Sequence, residues 1–166
     1  MSQKVTLQGT PCHVVDRLPA RGERLPDFRL TTADLGDAHL SSYAGKRKIF
    51  NIFPSLDTPT CALSVQRFNS EVESLDNVVL LQVSADLPFA QSRFCNAKEL
   101  GNGATLSMMR DKSFAKRYGV LLEDGPMAGL CARAVIVADE NDIVQHSELV
   151  YELSGEPDYK AALTAL

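Results

Sequence analysis

A cysteine at the start of a helix is placed to do chemistry, and Cys61 has that position. It lies in Pro54-Ser55-Leu56-Asp57-Thr58-Pro59-Thr60-Cys61, where an apolar run ends and an amphipathic pattern begins. The first N–H groups of a helix have no intrahelical partners, which makes its start electropositive. A thiol placed there tends toward the thiolate, the nucleophilic form. A helix start contributes about 0.3–1 kcal/mol to holding such a charge, and up to about 2 kcal/mol when partly buried. A second positive group is therefore needed. Arg133 is the candidate, because it begins the otherwise apolar stretch Ala132-Arg133-Ala134-Val135-Ile136-Val137. An arginine keeps its proton and offers several donors. Position alone leaves other roles open: Cys61 as a small buried apolar residue, Arg133 as an exposed strand end, Thr58 as a plain N-cap and Pro54 as strand punctuation.

The remaining cysteines narrow the chemistry. Cys95 lies 34 positions beyond Cys61, at the end of a separate helical stretch. That is not a Cys-x-x-Cys pair, so a dithiol reductase is disfavoured. Cys12 and Cys131 read as packing residues. Cys12-His13 are adjacent, whereas His39 and His146 are isolated, and none of them has zinc-ligand spacing. Gly101-Asn102-Gly103 is not a phosphate-binding GxGxxG.

These residues need a frame to hold them. Val5 to Val15, turning at Gly9-Thr10-Pro11, predicts a β-hairpin. Phe28–Thr31 and Ala38–Leu40 predict short strands, and Gly45-Lys46-Arg47-Lys48 a polar turn. Ile49–Phe53 and Val78–Val83 are apolar enough for buried central strands. Between them Thr58 suits an N-cap, Pro59 suits the first helical position, and Val65, Phe68, Val72 and Leu75 recur at helical spacing. A short helix is predicted from Phe89 to about Cys95, then a loop over 96–104, a strand at Leu106–Met109 and a helix from Ser113 to Tyr118 ended by Gly119. Strands at Ala132–Ala138 and Ile143–Val150 flank a turn, and a last helix has Pro157 in its first turn. Strand–helix alternation closing with a hairpin and a helix predicts a thioredoxin-like α/β fold. It would comprise a central mixed sheet flanked by helices, with an added N-terminal hairpin, in one domain over 1–166.

Composition sets the outer limits. A net charge of −4 over 166 residues argues against a nucleic-acid binder. No run of about 18 apolar residues predicts a membrane span. The first residues lack an apolar secretory core, which predicts a cytoplasmic protein, where thiols stay mostly reduced.

Pro54-x-x-x-Thr58-x-x-Cys61 resembles the active-site motif of the peroxiredoxins. Asn51–Ser55, the block Ser84-Ala85-Asp86-Leu87-Pro88-Phe89-Ala90-Gln91-Ser92-Arg93-Phe94-Cys95, and Ala132–Val135 resemble their atypical two-cysteine thiol peroxidase branch. The similarity runs from the N-terminal hairpin to Tyr159. The resemblance implies roles for each position. Cys61 would be the peroxidatic cysteine. Thr58 would orient the sulfur and bond the peroxide, Arg133 would stabilise the charge, and Pro54 would shape the substrate pocket. Cys95 would be the resolving cysteine, forming an intramolecular Cys61–Cys95 disulfide that thioredoxin reduces. The resemblance further implies a homodimer without metal, flavin or haem, acting on hydrogen peroxide and organic hydroperoxides in antioxidant defence.

Overall fold

The computed structural model describes residues 1–101 and 103–166. The chain opens with an antiparallel hairpin, β1 (Gln3–Leu7) and β2 (Thr10–Val14). The main sheet contains β3 (Arg29–Thr31), β4 (Asp37–His39), β5 (Arg47–Ile52), β6 (Val78–Ser84), β7 (Gly103–Ser107), β8 (Ala134–Ala138) and β9 (Val144–Leu149). Their order across it is β4-β3-β7-β6-β5-β8-β9. The central trio β7-β6-β5 is parallel and the flanking pairs are antiparallel. The parallel crossovers carry helices, as such connections require: α1 (Pro59–Val72) between β5 and β6, and α2 (Pro88–Ala97) between β6 and β7. Two short helices follow, α3 (Ser113–Arg117) and α4 (Tyr159–Thr164). This is the predicted mixed sheet with an N-terminal hairpin. No helix among the described residues is long and apolar enough to cross a membrane.

β5 shows how the core is divided. Its side chains alternate between the two faces. Phe50 and Ile52 join an aromatic core with Phe28, Phe114 and Tyr118, whereas Ile49 joins Phe68, Val72 and Tyr159 beneath α1 and α4. Phe114 and Tyr118 stack with centroids 4.3 Å apart, and Phe28 meets Phe50 edge-on at 5.9 Å.

Several boundaries differ from the sequence expectation for identifiable reasons. Lys46–Lys48 was expected in a polar turn, yet β5 begins at Arg47 and Lys48 is fully buried. The Lys48 ammonium lies 2.6 Å from Asp142 Oδ1, so the buried charge is paired. β7 begins at Gly103, where the backbone pairs with Leu80, so the strand precedes Met108 and Met109. Asn102, inside the expected 96–104 loop, lies outside the described residues. Leu40–Tyr43 forms a 3-10 turn that the apolar pattern did not signal. Pro157 falls before α4, where Asp158 caps the helix by accepting from the Ala161 N–H at 3.0 Å. Leu75 falls beyond α1 and is partly exposed.

Gly119 follows α3 at φ +71°, and a Cβ there would meet the Arg17 carbonyl oxygen at 2.1 Å. Both the left-handed backbone and the clash forbid a larger residue. Gly119→Ala is expected to lower unfolding stability by about 3 kcal/mol or more, measured by denaturant titration at equilibrium.

Candidate active site

The end of β5 and the start of β8 build the site. Ile52 pairs with Ala134 across the antiparallel β5–β8 ladder. The next residue of one strand, Phe53, and the preceding residue of the other, Arg133, therefore lie together at the ladder's end. Arg133 was expected to begin the strand and stands one residue before it. β5 ends into Phe53 and Pro54, and the Phe53 N–H still donates to the Val83 carbonyl at 3.1 Å. A short turn then leads into α1.

Pro59 occupies the first helical position, which places Cys61 at the third, within the turn of free N–H groups. Thr58 has the extended backbone of an N-cap, but its side chain does not cap the helix. Its hydroxyl donates instead to the Ser55 carbonyl at 2.9 Å. The Cys61 backbone is fixed from below. Ser64 Oγ donates to the Cys61 carbonyl at 3.0 Å, and the buried Asn51 amide donates to Ser64 Oγ at 3.3 Å and to Gln82 Oε1 at 2.8 Å. Asn51 and Ser64 were not anticipated as supports. A polar residue inside a strand otherwise apolar from Ile49 to Phe53 was the available signal.

Cys61 is fully buried with Phe53, Leu56 and Val65, and Phe94 and Leu100 pack on the same cluster. Arg133 is 2% exposed. Its Nη2 donates to Cys61 Sγ at 3.1 Å and its Nε donates to the Leu153 carbonyl at 3.0 Å. Nη1 is buried with no hydrogen-bond partner. Among the described residues, no carboxylate forms an ion pair with this guanidinium. An unpaired buried cation is costly, and the Cys61 sulfur at 3.1 Å is a side-chain group placed to accept from it.

Arg133 also lines a cavity of about 230 Å³ together with Pro54, Thr58, Pro59 and Thr60. Its outer wall is Leu7 and Gln8 of the hairpin turn, Met127, Leu153 and Ser154. At roughly 30 Å³ per water molecule, this space exceeds what hydrogen peroxide alone requires. Half of its lining residues, Leu7, Pro54, Pro59, Met127 and Leu153, are apolar.

Four of the five expected residues are thus brought together: Pro54, Thr58 and Arg133 share the cavity, and Arg133 reaches Cys61. Cys95 is not in that group. It is a free thiol on α2, half-buried in a crevice with Val65, Asn69, Gln82 and Leu100. Burial pushes its pKa up. The residue before it, Phe94, belongs to the wall around Cys61. The loop before Cys61 and the start of α2 share one anchor that the sequence reading missed. Asp86 accepts from Ser55 Oγ at 2.6 Å, from the Leu56 N–H at 2.8 Å and from Ser84 Oγ at 2.7 Å. Cys12 packs in the cluster under the hairpin. Cys131 is fully buried beside Met108, with sulfurs 3.5 Å apart, and burial pushes its thiol up to about 12.

The redoxin family model matches residues 20–163. A thiol peroxidase of Vibrio cholerae is 46% identical over 162 residues, covering 98% of this chain and 99% of that protein. A peroxiredoxin-like protein from Aquifex aeolicus superposes with a TM-score of 0.91 at 32% identity, covering 99% of this chain and 96% of the other. A thiol peroxidase from Chromobacterium violaceum superposes with a TM-score of 0.90 at 28% identity, covering 97% and 93%. The chain belongs to the redoxin family and, within it, to the peroxiredoxins of the bacterial thiol peroxidase type.

Burial and a raised pKa both make a thiol inert. Native-state alkylation of the reduced protein at pH 7 is expected to leave Cys131 unmodified, and denaturation to expose it, as read by peptide mass spectrometry. Labelling of Cys131 at the rate of a free thiol would contradict its packing.

Proposed function

We propose that this enzyme, acting as one domain over 1–166, reduces hydroperoxides at Cys61 and is returned to its dithiol form by thioredoxin. The observation that carries the proposal is the 3.1 Å contact between Arg133 Nη2 and Cys61 Sγ at the edge of the Pro54–Thr58 cavity. A family of thiol peroxidases supplies the reaction class.

The steps follow from the residues present. The Cys61 thiolate attacks the terminal peroxide oxygen, a new S–O bond forms and the O–O bond breaks. The departing oxygen takes a proton and leaves as water or an alcohol, and Cys61 becomes a sulfenic acid. Arg133 holds negative charge at the sulfur and on the oxygens as it develops, the kind of fixed stabilisation that lowers such barriers. Its Nε bond to the Leu153 carbonyl keeps the guanidinium aimed. Because the Thr58 hydroxyl donates its proton to Ser55, its free lone pair is left to accept the peroxide O–H. Pro54 brings no N–H to the pocket wall, which keeps that side apolar.

Cys95 then attacks the sulfenic sulfur, releases water and forms the Cys61–Cys95 disulfide. Burial keeps the Cys95 thiol protonated while α2 is packed. Resolution therefore requires the first turn of α1 and the Cys95 segment to move, a local order change of the kind used in switching proteins. Thioredoxin supplies two electrons by thiol–disulfide exchange. No residue of the site calls for a metal or organic cofactor. A homodimer is proposed through the face bearing Leu87, Phe89 and Met109, all of them exposed. Ser107 Oγ joins its two parts, donating to the Asp86 carbonyl at 2.6 Å and accepting from the Met109 N–H at 3.1 Å. The proposed setting is the cytoplasm.

Coupled turnover with thioredoxin, its reductase and a hydroperoxide tests the scheme. Cys61→Ser is expected to abolish turnover. Cys95→Ser is expected to consume about one equivalent of peroxide and then stop, and full recycling by that variant would remove Cys95 from the mechanism. Arg133→Ala is expected to slow Cys61 oxidation by about 10²–10³-fold, the range for losing one preorganised donor. An unchanged oxidation rate would show that the guanidinium serves packing only.

A further inference from the structure

The outer wall of the cavity is held by a residue with no part in the scheme above. Glu152 follows β9 and lies beside the hairpin turn, where Thr6 forms an isolated bridge with it. Five donors converge on its carboxylate. Oε1 accepts from Thr6 Oγ1 at 3.0 Å and from the Gly9 N–H at 2.9 Å. Oε2 accepts from the Gln8 N–H at 3.1 Å, the Ser154 N–H at 2.9 Å and Ser154 Oγ at 2.6 Å. A carboxylate has about four lone-pair sites, so this one is saturated. The Ser154 hydroxyl and N–H, then the Gly9 and Gln8 N–H groups, hold its pKa well below the usual carboxylate range.

The donors share a location. Gln8 and Ser154 line the cavity, and so do Leu7 and Leu153 beside them. Ser154 also accepts, through its carbonyl, the Thr60 hydroxyl at 2.9 Å, which ties this wall to the first turn of α1. The hairpin otherwise joins this segment by two backbone bonds, Thr6 N–H to the Tyr151 carbonyl at 2.7 Å and Leu153 N–H to the Thr6 carbonyl at 2.8 Å, and by a longer bond from Thr6 Oγ1 to the Tyr151 carbonyl at 3.5 Å. Those bonds stop at Thr6. The turn beyond it, whose Leu7 and Gln8 line the pocket, is fastened to the opposite side through the Gln8 and Gly9 N–H bonds to Glu152.

We propose that Glu152 is a positioning residue that fixes the hairpin turn against Leu153–Ser154, so forming the apolar wall that binds the organic substituent of a hydroperoxide. The inference rests on reading the cavity as the hydroperoxide pocket. Arg133 and Cys61 act on the O–O group common to all peroxides, whereas Leu7 and Leu153 can touch only a substituent. Loss of the fastening should therefore cost bulky organic hydroperoxides far more than hydrogen peroxide.

The test compares the parent enzyme with Glu152→Gln, which keeps the shape but loses the charge and one acceptor. With cumene hydroperoxide, KM is expected to rise about tenfold while kcat stays within about twofold, as for lost ground-state binding. The kcat/KM for hydrogen peroxide is expected to stay within about twofold. Thr6→Val, which removes one of the five donors, is expected to move the same ratio in the same direction by about two- to threefold, and it keeps the proposal testable should Glu152→Gln fold poorly. An equal fall for both peroxides, or an unchanged ratio, would overturn the proposal. A second readout needs no turnover. Binding of the unreactive product cumyl alcohol to Cys61→Ser, followed by NMR titration, is expected to weaken about tenfold when Glu152→Gln is added. Absent or unchanged alcohol binding would overturn the role of Glu152, whatever the activity. Absent peroxide turnover in the parent enzyme would instead remove the peroxidase reading and leave the alcohol titration to decide on Glu152.

Discussion

A buried guanidinium that pairs with no carboxylate among the described residues is the constraint on which the rest of the structure turns. Arg133 has been taken out of water and given a carbonyl, a sulfur and one unpartnered nitrogen. Removing a cation from water costs several kcal/mol even after relaxation. A fold accepts this only if the surroundings compensate for it, and what this fold places there is the Cys61 sulfur at 3.1 Å and the Leu153 carbonyl at 3.0 Å. The contact depends on the β5–β8 register. A slip of one residue would turn every side chain of one strand to the other face and send the guanidinium into the aromatic core. That core, with Phe50 and Ile136 paired across the same ladder, makes such a slip prohibitive.

The two cysteines stand in opposed conditions. Cys61 is beside a cation and a helix start, whereas Cys95 is half-buried on α2, and burial pushes its pKa up. Val65 belongs both to the cluster around Cys61 and to the crevice of Cys95, and Phe94 packs on the Cys61 side of α2. The resting structure therefore shields the nucleophile from its proposed partner. Asp86 holds both segments at once, since it anchors Ser55 and Leu56 ahead of α1 and sits two residues before α2. Any rearrangement that joins the sulfurs works against this small set of polar contacts and the packing of Phe94.

The sequence made the chemistry legible where it is local. Thr58-Pro59 marks the helix start, so the position of Cys61 at the third helical residue could be read directly. Arg133 stood out because a charge in an apolar run needs a reason. The succession of elements along the chain and the mixed sheet followed from alternating apolar runs and helical spacing, and the N-terminal hairpin from its turn. Errors fell where distant contacts override local pattern. Lys48 reads as a turn residue and is buried, because Asp142, far along the chain, neutralises it. Thr58 reads as a side-chain cap, but its hydroxyl is used by the Ser55 carbonyl. Arg133 was nominated as the cation for Cys61 because a charge in an apolar run needs a partner, and the resemblance gave it the same role, although nothing in their spacing requires the contact.

What stayed hidden has a common physical form. The aim of Arg133 is set by the carbonyl of Leu153, and a carbonyl leaves no trace in residue identity. The outer pocket wall is set by Glu152, which accepts from two backbone N–H groups and one hydroxyl more than 140 positions earlier. Read locally, Val150-Tyr151-Glu152-Leu153-Ser154 is an ordinary surface segment with one acid. Its function comes from the path of the main chain, which the strand ladders establish before any side chain of the site is considered. Reactive residues can be nominated from type and spacing. The groups that aim them are often backbone, and only the assembled fold identifies those.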